Sequence, residues 1–159
     1  SWIISEQGAD WKDYSFEFDA YNTYAASNAG PAVLVQDKDN AYWLDIARDT
    51  GRLIRIVDGV KTVLATNSAI KMPNSGTKHY KVNVNVASNG ITIAVATNGV
   101  SVFSFTDTST NALAKFRSGG VGFHYNFLLY GYYGMQFDNV HVDVSGFVAP
   151  RMVSLNIAE

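Results

Sequence analysis

Apolar and polar residues alternate with a period of two along most of the chain, as in strands that bury one face. From Tyr14 to Ala20, Tyr14, Phe16 and Phe18 share one face, and Ser15, Glu17 and Asp19 share the other. Pro31 to Gln36 is apolar enough for a strand buried on both faces. Asp37-Lys38-Asp39-Asn40 turns the chain into Ala41 to Arg48, where Tyr42, Leu44 and Ile46 alternate with Trp43, Asp45 and Ala47. Asp49-Thr50-Gly51 leads into Arg52 to Val57, and Asp58-Gly59 is a hairpin signal before Lys61 to Thr66. Tyr80 to Val86 points Tyr80, Val82, Val84 and Val86 inward, with Lys81, Asn83 and Asn85 outward. Asn89-Gly90 and Asn98-Gly99 then link Tyr80–Val86, Ile91–Ala96 and Val100–Thr106 into an antiparallel meander. Thr108 to Ser118 is less regular, with one helical turn around Asn111 to Phe116. Gly120 to Tyr125 and Met135 to Val144 bring the expectation to about ten strands.

Composition sharpens this picture. Only 3 Glu stand against 11 Asp, and β-branched residues outnumber Leu, so good material for surface helices is scarce. No linker divides the 159 residues, and the economical architecture is a single all-β domain, a two-sheet antiparallel β-sandwich. The start at Ser1 and a tail running from Pro150 to Glu159 suggest a domain excised from a larger protein. The balance of 12 basic to 14 acidic residues argues against nucleic acid as partner. No apolar run is long enough to insert in a membrane. The absence of cysteine removes thiol chemistry and leaves stability to the core.

Catalytic motifs are scarce in the chain. Glu17-Phe18-Asp19 sets two acids on one strand face, similar to the Glu-x-Asp-x-x-Glu strand of jelly-roll glucanases, but Asn22 stands where the general acid belongs. His79, His124 and His141 lack metal-ligand spacing, and no Gly-x-Ser-x-Gly elbow or lyase motif occurs. Gly119-Gly120-Val121-Gly122 opens into a strand, which suits a tight corner and not a phosphate cradle.

What remains is a surplus of polar aromatics, nine Tyr and three Trp on a weakly charged body. Their rings stack on the C–H faces of sugars while Asp, Asn, Arg and His bond the hydroxyls. Parity puts Trp43 opposite Leu44 and Ile46, beside Asp45, and turns Glu17, Asp19, Arg55 and His124 away from the core. Tyr125 to Tyr133 carries four tyrosines, among them Tyr125, Tyr132 and Tyr133, as a candidate binding rim. The alternative for Trp43 is a core-capping role, and for the tyrosine loop packing beneath the sandwich.

Several motifs in order carry a resemblance: Trp11-x-x-Tyr14 before Phe16-Glu17-Phe18-Asp19, Ala41-Tyr42-Trp43-Leu44-Asp45, His79-Tyr80-Lys81-Val82, Thr97-Asn98-Gly99-Val100, Gly120-Val121-Gly122-Phe123, and Phe137-Asp138-Asn139-Val140-His141-Val142. From Trp11 to Val144 the chain resembles the concanavalin A-like lectin and glucanase jelly roll, nearest in style to family 66 carbohydrate-binding modules appended to glycoside hydrolases. The resemblance implies a secreted, non-catalytic domain that binds a poly- or oligosaccharide and is covalently joined to a catalytic domain. Trp43, Asp45, Arg55, Glu17 and Asp19 supply the residue types such modules use. No cofactor is required, but relatives often hold a structural calcium. Asp138 is then the first ligand to test, with Asp37 and Asp39 as the other oxygen-rich candidate and turn chemistry as the alternative for both. Two other functions fit the same fold, a laminin-G-like adhesion domain and a jelly-roll hydrolase or lyase.

Overall fold

A computed structural model describes residues 1–22, 28–73, 75–126, 135–144 and 155–158. They form β1 (Trp2–Ser5), β2 (Tyr14–Asn22), β3 (Asn28–Asp37), β4 (Asn40–Ile46), β5 (Gly51–Val57), β6 (Val60–Asn67), β7 (Thr77–Val86), β8 (Ile91–Thr97) and β9 (Val100–Asp107). The helix α1 (Thr110–Lys115) and the strands β10 (Gly120–Asn126), β11 (Met135–Val144) and β12 (Leu155–Ala158) follow. One sheet has seven strands in the order β12-β1-β10-β3-β4-β5-β6, and the other has five in the order β11-β2-β7-β8-β9. Neighbouring strands run antiparallel in both sheets. The expected all-β sandwich is therefore present, and the short helix falls within the stretch marked as irregular.

The core lies between the sheets because each strand sends its apolar alternates to the same side. Phe16, Phe18, Tyr80 and Val82 from the five-stranded sheet meet Val33, Leu44, Ile46 and Phe123 from the seven-stranded one. Phe18 anchors the seam, stacked on Tyr80 at 5.2 Å and edge-on to Phe123 at 5.3 Å. The buried Tyr14 hydroxyl joins the layers: it donates to the Gly120 carbonyl at 3.2 Å and accepts from the Leu34 N–H at 2.8 Å. Leu34 has φ 50° at the irregularity of β3, and a Cβ on Gly119 would strike the Leu34 backbone, so the glycine pair is the tight corner expected from sequence.

Two expectations need correction. Arg55 faces inward, not away from the core, and sits at the sandwich mouth paired with Asp107 of β9 at 2.6 Å. Parity is ambiguous in β5 because this strand is apolar on both faces: Leu53 enters the main core, whereas Ile54 and Ile56 enter a second cluster on the outer side of the seven-stranded sheet. That cluster corrects Trp43 as well. Its orientation away from Leu44 and Ile46 holds, but only 2% of it is exposed, packed among Ala32, Ala41, Ile54 and Ile56. An indole so enclosed gives a sugar no open stacking face, and Trp43→Ala would leave a cavity in the sheet's outer layer.

Candidate ligand groove on the five-stranded sheet

The outer face of the five-stranded sheet takes the polar alternates of β2, β7 and β11. Glu17 lies opposite Lys81 and His141, and Asp19 lies opposite His79 and Asp138. β11 is irregular between Asp138 and His141, where Asn139 adopts φ 50°. This irregularity aims the Asn139 amide at β2, and its Nδ2 donates to Asp19 Oδ2 at 2.7 Å. Asp138 Oδ1 accepts the Asn139 N–H at 2.8 Å and so stabilises the bend.

Cations and donors surround both carboxylates. Glu17 meets Lys81 Nζ at 2.7 Å, His79 Nε2 at 3.3 Å and His141 Nε2 at 3.5 Å. Asp19 Oδ1 faces His79 Nδ1 at 2.8 Å. Burial alone would raise the Glu17 pKa, but the Lys81 hydrogen bond and charge, with the two imidazoles, bring it below the ordinary value. The Asn139 and His79 hydrogen bonds lower that of Asp19. Both groups are thus held as carboxylates. Glycoside hydrolysis needs one carboxyl kept protonated to serve as acid, and this pair offers none at neutral pH.

Beside the cluster runs a groove of about 450 Å3 lined by Asp19, Tyr21, Thr77, Gln136, Phe137, Asp138 and Asn139. Tyr21 is 44% exposed, an open ring next to fixed acceptors and amides. Phe137 belongs to the floor, its ring stacked on Phe123 at 4.0 Å.

Of the residues singled out from sequence, Glu17, Asp19 and Asp138 come together here. Trp43, Asp45 and His124 share the outer face of the other sheet, all buried. Arg55 lies between the sheets. Tyr125 is half-buried and packs against the main core, while Tyr132 and Tyr133 lie outside the described residues. Asp37 accepts from the Asp39 N–H at 2.8 Å and from Asn40 Nδ2 at 3.0 Å, which is turn chemistry. Among the described residues no group of three His, Asp or Glu side chains is set to hold a metal ion. Sequence reasoning missed Tyr21, Lys81, His79, Asn139 and His141 as parts of one site. Parity along β2 and β7 carries the first three; only the bend of β11 brings in Asn139.

No family model matches the chain, and no curated protein matches it. Solved structures do. The carbohydrate-binding module CBM66 from Bacillus subtilis superposes with a TM-score of 0.63 at 18% identity, over 90% of this chain and 81% of that one. The fold is the concanavalin A-like, lectin-type jelly roll. The Caenorhabditis elegans galectin LEC-6 shares this jelly roll at TM-score 0.57 and 15% identity, covering 89% of each chain. The CBM40 of the Ruminococcus gnavus IT-sialidase, bound to alpha2,6 sialyllactose, does so at 0.51 and 13%, over 86% of this chain and 79% of that one. Among the described residues, no helix of this jelly roll is long and apolar enough to cross a membrane.

Proposed function

We propose that this domain binds a poly- or oligosaccharide without catalysis, in the groove beside β2 and β11, and serves as the extracellular targeting module of a covalently attached polysaccharide-degrading enzyme. The observation that carries the proposal is the exposed Tyr21 ring beside the hydrogen-bonded Asp19–Asn139 pair in one groove. An open ring accepts the apolar face of a sugar, and fixed carboxylate and amide groups bond its hydroxyls. The names of the structural neighbours, two carbohydrate-binding modules and a galectin, support the same reading. Attachment to an enzyme supplies effective concentration at the substrate instead of chemistry.

The test is affinity electrophoresis and calorimetry against soluble and insoluble polysaccharides, with the wild type, Tyr21→Ala and Asn139→Ala. We expect one glycan class to bind and each substitution to weaken binding at least tenfold, with the circular dichroism spectrum unchanged. Silence of the wild type across the panel overturns the function. Wild-type affinity in both variants moves the site elsewhere.

A further inference from the structure

The outer face of the seven-stranded sheet holds three side chains, each more than nine-tenths buried, that carry one polar atom without a partner: Trp43 Nε1, Asp45 Oδ1 and His124 Nδ1. Trp43 and Asp45 are alternate residues on the same face of β4. The rings of Trp43 and His124 lie 4.2 Å apart, and His124 also meets the Trp2 ring at 4.4 Å. His124 pairs with Gly30 across β10 and β3. The register of β3 with β4, Ala29 with Ile46 and Ala32 with Trp43, sets Gly30 opposite Asp45. One row across the sheet therefore runs Asp45, Gly30, His124, and its middle position carries no side chain. No other residue fits there, because a Cβ on Gly30 would run into the Leu44 carbonyl oxygen.

The surrounding bonds single out the same atoms. Arg52 and the Asn28 amide both address Asp45 at Oδ2, Asn28 at 3.3 Å, and leave Oδ1 unpartnered. Buried polar atoms in proteins nearly always find a partner, and leaving a donor and two further polar atoms unpaired on one sheet face is costly. The Lys61 ammonium stands 5.0 Å over the Trp43 ring and Arg52 flanks Asp45, which disfavours a cation. Asp45 itself disfavours an anion. A neutral group that both accepts and donates matches the set.

We infer that the outer face at the row Asp45, Gly30, His124 is a hydroxyl-binding site, in which one O–H accepts from the Trp43 indole N–H and donates to Asp45 Oδ1, with His124 Nδ1 as third partner. Two to four polar partners are what a buried water requires, and a sugar hydroxyl has the same chemistry. The site lies on the other sheet from the groove and stands or falls separately from it.

Two measurements on the intact chain test the assignment. The first is a high-resolution crystal structure from polyol-free conditions, repeated after soaking with fructose, glucose and galactose. The second is water-selective NMR of the 15N-labelled indoles. We expect an oxygen within about 3 Å of both Trp43 Nε1 and Asp45 Oδ1, and a water cross-peak at the Trp43 indole proton. An oxygen unchanged by the soak identifies ordered water; replacement by a sugar hydroxyl, with a shift in tryptophan fluorescence, identifies a saccharide. Trp43→Phe keeps a ring but loses the donor, and the oxygen is expected to leave with it. A dry pocket overturns the inference, as does direct bonding among the three side chains or an oxygen that stays in Trp43→Phe. Tyr21→Ala, which tests the groove, leaves this site unaffected.

Discussion

Arg55 illustrates how much a single side chain decides at the sandwich mouth. Its guanidinium reaches the Asp107 carboxylate at 2.6 Å and also donates to the Ser109 hydroxyl, while the Tyr42 hydroxyl donates to Asp107 at 2.8 Å. Burial would raise the Asp107 pKa, but bonds from Ser109, Tyr42 and Arg55 bring it below the ordinary value. Removing one partner leaves a charge in a largely buried position, so Arg55→Ala is expected to cost about 3 kcal/mol in urea unfolding. Tyr42→Phe deletes one hydrogen bond and is expected to cost about 1 kcal/mol. His124 makes the opposite case. Burial, then the positive charges of Lys61 and the N-terminus, push its pKa down to about 4. The folded state therefore binds fewer protons than the unfolded state between about pH 6.5 and 4, and stability falls as pH drops through that window. The expected loss is about 3 kcal/mol, complete below the folded pKa and absent above pH 6.5. Urea titrations at pH 7 and pH 4.5 capture most of it, and His124→Gln should flatten the difference. The sequence showed that His124 is turned from the main core; that two tryptophans cover it was not legible there.

Among elements, similar turn signals lead to different geometries. Asn98 and Gly99 have φ 49° and 80°, and Asp58 and Gly59 have 49° and 79°, the left-handed pair of a tight two-residue hairpin. Asn89-Gly90 instead closes a longer connection, with the Ala87 N–H donating to the Gly90 carbonyl at 3.0 Å. Both kinds of turn preserve the meander, which is why the strand order β7-β8-β9 was readable without knowing the turn type. A Cβ on Gly99 meets nothing within 4 Å, so Gly99→Ala should cost only the conformational penalty of about 1 kcal/mol. Gly30→Ala meets the Leu44 carbonyl and should lower the thermal midpoint far more than Gly99→Ala does. Equal midpoints for the two variants would contradict the close approach of β3 and β4. The strands β1 and β12 escaped the sequence reading. Each has only four residues, too few to show a period, and they pair with one another across nearly the whole chain, Trp2 with Ala158 and Ser5 with Leu155.

For the whole molecule, one core cluster draws on both sheets, so the sandwich should unfold as a unit. Urea transitions followed by far-ultraviolet circular dichroism and by tryptophan fluorescence are expected to coincide. Phe18 touches Phe16, Tyr80, Phe123 and Phe137, and Phe18→Ala should remove about 4 kcal/mol. The outer face of the five-stranded sheet adds an electrostatic prediction. Glu17 and Asp19 have lowered pKa values, so their ion pairs stabilise the fold above the ordinary carboxylate range and are lost as pH falls through the folded values. If the groove is the sugar site, saccharide affinity should weaken over the same acid range, and calorimetry across it provides the check.

The pattern of apolar alternates determined, by itself, the strands from Tyr14 to Val144 and the side of each strand that a one-faced alternation turns inward. It also placed Glu17 and Asp19 on an open polar face, because period-two geometry is local to the chain. Strands apolar on both faces were ambiguous, and there only the tertiary structure decided. It turned Arg55 inward to meet Asp107, covered Trp43, Asp45 and His124, and bent β11 so that Asn139 joined Asp19. Each of these outcomes depends on what a distant strand brings to the other side, and local periodicity carries no information about that.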